Sequence, residues 1–337
     1  MRYRQPLYLS APTARLGERS EPVADAVAAG SIKAEVAEKY GYTALTATEL
    51  APVELAERAA LTALADSGVA ATELDRVFHA WTYFQGHDFW SPAHYVASRI
   101  GAVNAVPMGI QQMCNGGMAA VETAARELVA DPSLGPVLVT TADRFAPPGF
   151  DRWGGDLGVC YGDGATAVVI DRVPHGRSVR LLATETVAAA QLEAMHRGDL
   201  PFTAAPVSGS QTLRPGLTKR QFNESPRRVD LAKIAHDALV TVLTKALADV
   251  AETMVAGVAL PRLSRNGLDE VYRPAIDEIT PATVFDLGTA TGHLGAGDAV
   301  ANLADLLAAD PWSEGELFLL ISAGAGFTWS AAVVEVV

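Results

Sequence analysis

Residues 105–132 read AVPMGIQQMCNGGMAAVETAARELVADP, an apolar run that leads through one cysteine into an alanine-rich periodic segment. The run over 105–113 predicts a buried strand, and the periodic segment predicts a helix that ends at Pro132. Cys114 therefore stands at a strand-to-helix turn. The two glycines that follow Asn115 allow that turn to be sharp.

Strand-like and helical patterns alternate through the rest of the first half. Helices are predicted over 53–68 and 91–101, and strands over 75–84, 135–145 and 161–172. Such alternation predicts an α/β fold with a mostly parallel sheet covered by helices.

The second half of the chain repeats the first. CNGGMAAVETAARELVADP at 114–132 aligns with HLGAGDAVANLADLLAADP at 293–311, and a buried strand follows each segment. We interpret the chain as two pseudo-repeated halves. Residues 1–175 carry the nucleophile cysteine and residues 176–337 carry a His/Asp pair. In a stacked pair of halves, the cysteine and the histidine occupy equivalent turns that face one site.

Composition excludes several classes of protein. The chain has 337 residues, 49% of them hydrophobic, and no apolar run approaches the length of a membrane-spanning helix. We therefore expect a cytoplasmic protein with no signal peptide and no membrane association. The formal net charge of −13 argues against nucleic acid as a partner. Metal-ligand spacings and dinucleotide fingerprints do not occur, so we expect no metal and no bound cofactor.

Cys114 is one of only two cysteines, so a disulfide framework is not expected. A free cysteine is commonly a small buried hydrophobe, and Cys160 is interpreted in that way. For Cys114 the position at a helix start favours the reactive thiolate, because the positive end of the helix dipole stabilises an anion. We predict that Cys114 is a nucleophile.

His293 lies in the glycine-rich sequence GHLGAGD at 292–298, directly before a predicted helix. Histidine is the usual general base near neutral pH. Asp298 has two interpretations that the sequence leaves open. It is either a carboxylate stabilised at the helix start, or the group that orients His293 in a nucleophile–base–carboxylate set.

Three further features have a functional and a structural interpretation. His87 and His196 either line a substrate entrance or have an ordinary structural role. The basic stretch from Arg214 to Arg228 is either a solvated loop or a landing patch for a phosphate-bearing or acidic partner, such as a carrier protein.

Three segments resemble the ketoacyl synthase III family of the thiolase superfamily. IQQMCNGGMAAVETA at 110–124 resembles its active-site cysteine segment, YGDGATAVVI at 161–170 its mid-chain glycine turn, and SAGAGFTWSAAVV at 322–334 its C-terminal signature. The resemblance implies a five-layer αβαβα thiolase fold, a homodimer and an acyl-thioester intermediate on Cys114. It also implies an oxyanion hole formed by the backbone N–H groups of Cys114 and Ala325.

The chain departs from the condensing members of this family at two places. Where they carry a Pro-His-Gln-Ala-Asn-like segment, this chain reads VALPRLSRN at 258–266, with Arg262 at the histidine position. Where they carry Gly-Asn-Thr-Ser, it reads GHLG at 292–295. The His–Asn pair that supports decarboxylative condensation is therefore missing. Arg262 either binds a malonyl-type carboxylate of the substrate or is structural.

The remaining set resembles a divergent subgroup of polyketide antibiotic pathways that transfers acyl groups or selects starter units through a Cys–His–Asp triad. We therefore predict an acyltransferase of secondary metabolism, with coenzyme A or acyl-carrier-protein thioesters as substrates and no cofactor. Cys114 accepts the acyl group, and His293, held by Asp298, deprotonates an acceptor hydroxyl, of a sugar or similar molecule, or a carrier thiol. The alternatives are a starter-unit ketosynthase that forms a carbon–carbon bond, a thioesterase, and a non-catalytic partner subunit of a ketosynthase.

Overall fold

The computed structural model of the chain describes residues 1–199, 201–204, 212–226, 228–248, 250, 255–309 and 312–337. The strands are β1 (Tyr8–Leu16), β2 (Arg19–Pro22), β3 (Ala44–Ala47), β4 (Arg76–Ala80), β5 (Val106–Ile110), β6 (Val137–Asp143), β7 (Gly164–Asp171), β8 (Ser178–Ala188), β9 (Val255–Ala259), β10 (Thr283–Phe285), β11 (Leu317–Gly324) and β12 (Thr328–Val336). The helices are α1 (Val23–Ala28), α2 (Ala34–Tyr40), α3 (Pro52–Ser67), α4 (Pro92–Ile100), α5 (Gly116–Ala130), α6 (Ala194–Arg197), α7 (Pro215–Glu224), α8 (Leu231–Leu247), α9 (Arg265–Gly267), α10 (Arg273–Asp277) and α11 (Asp298–Ala308). A short 3₁₀ turn, Gly295–Gly297, leads into α11.

Ten of the described strands form one mixed sheet, in the order β10-β9-β11-β12-β8-β1-β7-β6-β4-β5. The antiparallel pair of β1 and β8 lies at its centre. On either side of this pair the order and direction of the strands are the same, β1-β7-β6-β4-β5 and β8-β12-β11-β9-β10. The strand order therefore repeats within the sheet, and the division near residue 175 stays a prediction.

The sheet is mixed, not mostly parallel as the alternation of patterns predicted. The outer strands of each half, β4, β5 and β6 or β9, β10 and β11, pair in parallel. The four central strands pair antiparallel. The short turn between β11 and β12 joins antiparallel neighbours, and β1 lies between β7 and β8 and pairs antiparallel with both.

Helices and sheet halves alternate in five layers. The helices α5 and α11 share one buried cluster with strands from both halves, which places them between the two half-sheets. The helices α3 and α4 cover the outer face of the first half-sheet, and α8 and α10 cover that of the second. The predicted five-layer αβαβα arrangement is therefore confirmed. None of the described helices has both the length and the apolarity needed to cross a bilayer.

Two strand predictions differ from the structure. The first is the strand predicted to be buried over 105–113. In the structure this strand is β5, which lies at the edge of the sheet, and Val106 is 53% and Met108 is 43% exposed. The predicted strand over 75–84 ends at Ala80, because the N–H groups of Thr82 and Tyr83 donate to the Asp143 carboxylate and not to a neighbouring strand.

Candidate active site

The turn that carries Cys114 lies between β5 and α5, with the thiol free and partly exposed. Met113, the residue before it, has a φ of +50°, a left-handed conformation that costs a non-glycine residue about 1–2 kcal/mol. Strained backbone of this kind concentrates at functional sites, where the surrounding structure maintains it. A Cβ on Gly117 would lie 2.3 Å from the Ala296 carbonyl oxygen, so α5 packs closely against the turn that precedes α11.

The structure brings His293 and Asp298 together and places them beside Cys114. Nδ1 of His293 lies 2.6 Å from Oδ2 of Asp298, and both side chains are buried. The second carboxylate oxygen accepts the N–H of Leu294 at 2.8 Å. The Cys114 side chain lies within electrostatic reach of His293. The three predicted catalytic residues therefore form one connected set.

Electrostatics in this set favours a charged histidine. Burial alone would lower the pKa of His293, but the Asp298 carboxylate and the Cys114 sulfur raise it well above its usual range. Burial alone would raise the pKa of Asp298, but His293 and Arg262 hold it below its usual value. The resting pair is an imidazolium with a carboxylate.

Arg262 is fully buried, and protein groups occupy its guanidinium. Nε donates to Asn302 Oδ1 at 2.9 Å, Nη1 to Thr291 Oγ1 at 2.8 Å and Nη2 to Asp305 Oδ2 at 2.5 Å. Its backbone N–H donates to Asp298 Oδ2 at 2.7 Å. These contacts support the structural alternative for Arg262, in which it positions Asp298, over the binding of a substrate carboxylate.

The turn that contains Ala325 joins β11 to β12 and lies against the Cys114 turn. A Cβ on Gly324 would lie 2.6 Å from the backbone nitrogen of Asn115 and 2.9 Å from the carbonyl oxygen of Gln112. Only glycine permits this approach. It brings Ala325 close to the nucleophile, and the role of its N–H group in an oxyanion hole stays a prediction.

Sequence reasoning missed two tyrosines that lie beside the catalytic set. The rings of Tyr161 and His293 are 5.4 Å apart, and Tyr161 and Tyr272 both lie within electrostatic reach of Cys114. In the sequence, only the glycine turn that follows Tyr161 indicated that this tyrosine lies near the site. A Cβ on Gly162 would lie 1.8 Å from the Thr291 carbonyl oxygen, which marks the close approach of the two loops. Nothing near Tyr272 in the sequence indicated its position.

Asp143, at the end of β6, is a third residue that the sequence did not indicate. It is fully buried and accepts N–H groups from Thr82, Tyr83 and Ala296. Burial raises its pKa to about 7 in spite of these donors. Asp143 therefore connects the loop after β4 to the turn that carries His293.

The weaker predictions have different outcomes. His87 lines a cavity of about 360 Å³ together with aromatic side chains and Gln111, and its interpretation as part of an entrance stays a prediction. In the basic stretch, Lys219 points inward, is 13% exposed and pairs with Asp156 at 2.6 Å. Arg214 pairs with Asp151, and Arg227 lies outside the described residues. Most of the described stretch is the helix α7 and not a loop, with one inward cation, and a landing patch formed by the other cations stays a prediction.

Sequence comparisons point to one family. Residues 108–190 match the family model of 3-oxoacyl-[acyl-carrier-protein] synthase III, and residues 251–336 match the model of its C-terminal part. The chain is 26% identical over 291 residues to the beta-ketoacyl-[acyl-carrier-protein] synthase III of Geobacillus kaustophilus, covering 86% of this chain and 85% of the relative. The Rhodospirillum centenum protein of the same name is 27% identical over 283 residues, covering 84% and 83%.

Solved structures agree with these relatives. ChlB3, described as an acyltransferase, superposes with a TM-score of 0.88 at 30% identity and covers 98% of each chain. The 3-oxoacyl-[acyl-carrier-protein] synthase III of Aquifex aeolicus superposes with a TM-score of 0.78 over 98% of this chain and 99% of its own, and its 21% identity shows the fold alone. The chain belongs to the ketoacyl synthase III family and is an acyl-transferring enzyme with a thiolase-like fold.

Proposed function

We propose that this enzyme moves an acyl group from a thioester, through an acyl-enzyme on Cys114, to an acceptor hydroxyl or carrier thiol in secondary metabolism. The observation that carries the proposal is the hydrogen-bonded pair of His293 and Asp298, which lies within electrostatic reach of Cys114. The likeness to ChlB3, described as an acyltransferase, supports the same assignment. Arg262 stands where condensing enzymes are expected to have histidine, and its guanidinium is bonded to protein groups.

In the first step the Cys114 sulfur attacks the thioester carbonyl of the donor. A new carbon–sulfur bond forms to Cys114 and the carbon–sulfur bond to the donor breaks. His293, protonated in the resting site, gives its proton to the departing thiolate. The backbone N–H groups of Cys114 and Ala325 are proposed to stabilise the tetrahedral oxyanion.

Acylation itself prepares His293 for the second step. The Cys114 sulfur loses its negative charge when it is acylated, so one of the two groups that raise the pKa of His293 is removed. Neutral His293 then takes the proton of the acceptor while the acceptor oxygen or sulfur bonds to the acyl carbon. The bond to Cys114 breaks, and the thiolate–imidazolium pair is restored.

The donor class is a coenzyme A or acyl-carrier-protein thioester, which is substrate and not cofactor, and the proposal requires neither a metal nor a bound cofactor. We also propose a homodimer that pairs through the exposed edge strand β5. The cytoplasmic location stays a prediction from the sequence.

Decarboxylative condensation is the second candidate, because the curated relatives are named as ketoacyl synthases. It differs from acyl transfer in one product. Condensation releases carbon dioxide from a malonyl extender, whereas transfer to a hydroxyl does not.

The test incubates wild type, Cys114→Ala and His293→Ala with a panel of acyl-coenzyme A and acyl-carrier thioesters and records intact protein mass. We expect an acyl adduct on wild type and none on Cys114→Ala. His293→Ala should load more slowly, because the departing thiolate lacks its proton donor. The acyl group that does load should stay on Cys114 when an alcohol or thiol acceptor is added.

Each other outcome selects a different function. Release of labelled carbon dioxide from malonyl thioester, with a carbon–carbon product, would establish condensation. Loss of the acyl group to water at the same rate with and without acceptor would establish a thioesterase. A wild type that no thioester acylates would contradict the proposal and favour a non-catalytic partner subunit.

A further inference from the structure

A second buried polar cluster lies behind the catalytic set. The Tyr161 hydroxyl donates to Asp156 Oδ2 at 2.6 Å, and Lys219 Nζ lies 2.6 Å from Asp156 Oδ1. His196 lies within the electrostatic reach of both Lys219 and Asp156. None of these contacts is needed for the transfer steps described above.

One ring contact and two charged neighbours locate His196 near the site. Its ring lies 5.4 Å from the ring of Phe327, which is two residues after Ala325 in the turn against the Cys114 loop. On the other side, the Lys219–Asp156 pair connects through Tyr161 to the ring of His293. His196 therefore lies beside the turn of the predicted oxyanion hole, and its charged neighbours connect through Tyr161 to the catalytic base.

His196 has an unused hydrogen-bonding atom in this position. Nδ1 is buried and has no hydrogen-bonding partner in the part of the chain that the structure describes. Burial and the charge of Lys219 lower the pKa of His196 to about 4, so its ring is neutral and carries one donor and one acceptor. A buried polar atom without a partner is costly and calls for a bonding group from elsewhere.

The charges nearby restrict what that group is. The Lys219 cation is already compensated by Asp156, and the neutral ring of His196 adds no charge. An anionic group would thus gain no net opposite charge and would lose its hydration. A hydroxyl group can both donate to and accept from a neutral imidazole, and it carries no charge.

We infer that His196 is a specificity-determining residue that hydrogen-bonds a hydroxyl group of the substrate, carried either by the transferred acyl chain or by the acceptor. This inference rests on the proposed acyl transfer for the identity of its ligands. It explains why Nδ1 of the histidine beside Phe327 is buried without a partner among the described residues, and it provides a polar anchor that directs one hydroxyl-bearing molecule toward Cys114.

The first experiment measures affinities and does not require turnover. Calorimetry compares 3-hydroxybutyryl-coenzyme A with butyryl-coenzyme A on Cys114→Ala, which cannot be acylated, and on the same variant with His196→Phe or His196→Gln. Phenylalanine keeps the ring packing and removes both nitrogens, whereas glutamine keeps a donor and an acceptor. If the acyl chain carries the hydroxyl, His196→Phe should reduce the preference for the hydroxylated thioester about 10-fold, and His196→Gln should retain most of it.

The second experiment examines the acceptor. The butyryl enzyme, with and without His196→Phe, is offered methyl glucoside or N-acetylcysteamine, and the rate of acyl loss is followed by mass. If the acceptor carries the hydroxyl, the preference for the glucoside should fall about 10-fold while the thioester preference is unchanged.

The outcomes separate this inference from the proposed function. If His196→Phe keeps its melting temperature and changes neither preference by more than about twofold, the inference is wrong. If no thioester acylates the wild type, the proposed transfer fails. The ratio of the affinities for 3-hydroxybutyryl-coenzyme A and butyryl-coenzyme A still decides whether His196 binds a hydroxyl of the acyl chain. If His196→Phe leaves that ratio unchanged, the inference is rejected.

Discussion

His293 has two side-chain partners whose roles in the reaction differ. Asp298 stays bonded to His293 throughout the reaction, because its carboxylate is buried and also accepts the N–H groups of Arg262 and Leu294. In the proposed transfer, acylation converts the Cys114 sulfur into a neutral thioester. The proton of the imidazolium is therefore held strongly before loading and less strongly after it, which suits one residue to act first as an acid and then as a base.

The change Asp298→Asn tests this arrangement through pH. Because Asp298 raises the pKa of His293, its removal should lower that pKa. Loading requires protonated His293, so the pH above which loading slows should move downward, and the rate near pH 8 should fall at least about 10-fold. Intact-mass kinetics between about pH 6 and pH 10 would show this.

The matched control for that experiment is Asp305→Asn. Asp305 bonds Arg262 from the same helix and is no partner of His293. We expect its pH profile to keep the position of the wild type. A downward shift of equal size in both variants would show that general loosening of α11, and not the charge on His293, moves the profile.

Arg262→Met separates the two interpretations of that arginine. The change removes the guanidinium bonds to Asn302, Thr291 and Asp305, and leaving buried polar groups unpaired costs about 1–3 kcal/mol of unfolding free energy. Denaturant unfolding measures this loss. The ratio of malonyl to butyryl loading should stay within about twofold. A variant of normal stability that selectively loses malonyl loading would restore the substrate-binding role.

Among the structural elements, the two turns that lead into α5 and α11 are what bring the catalytic residues together. The first holds Met113 at a positive φ, and the second holds Gly295 at a φ of +61° against Asp143. Asp143 accepts the Ala296 N–H and so fixes the second turn to the loop after β4. The positions of Cys114 and His293 thus depend on close packing of these turns against their neighbours, which an added side chain would block.

Gly295→Ala should therefore be more damaging than an ordinary glycine substitution. A Cβ at residue 295 would lie 2.1 Å from Asp143 Oδ2, in addition to the cost of the positive φ. The matched control is Gly30→Ala, at a φ of +72° with no atom within 4 Å of the new Cβ. We expect about 1–2 kcal/mol of destabilisation at Gly30 with loading intact. At Gly295 we expect a larger loss together with slow loading. Equal losses at the two positions would contradict the role of Asp143.

In the whole molecule, the sheet ends on one side at a strand whose surface is unusual for a sheet edge. β5 exposes Val106 and Met108 and lies directly before the Cys114 turn. Exposed apolar edges invite pairing with a second chain. A dimer through this edge would bury the strand next to the nucleophile and keep its turn rigid.

Met108→Lys tests the dimer, because a cation on an edge strand discourages pairing between chains. We expect the wild type to sediment as a dimer and the variant as a monomer at micromolar concentration. Lys39→Met, on the exposed surface of α2, is the control and should keep the dimer. A wild type that sediments as a monomer would overturn the proposed assembly.

Much of the architecture was predictable because it depends on local patterns. The period of apolar residues predicted α3, α4, α5 and α11, and glycines such as Gly68, at a φ of 73°, marked where helices end. The internal repeat, with its strand-to-helix turns, also predicted that a cysteine and a histidine face one site. The departures from the family pattern at Arg262 and His293 indicated acyl transfer over condensation, which stays a proposal.

The tertiary structure was needed wherever partners come from distant segments. Exposure of β5 depends on its place at the sheet edge, and the antiparallel centre depends on which strands meet, so neither appears in a local apolar pattern. The same holds for the bonds that make Arg262 structural and for the contacts that place Tyr161, Asp143 and His196 around Cys114. A side chain's role depends on its neighbours in space, whereas periodicity and turn chemistry depend on its neighbours in the chain.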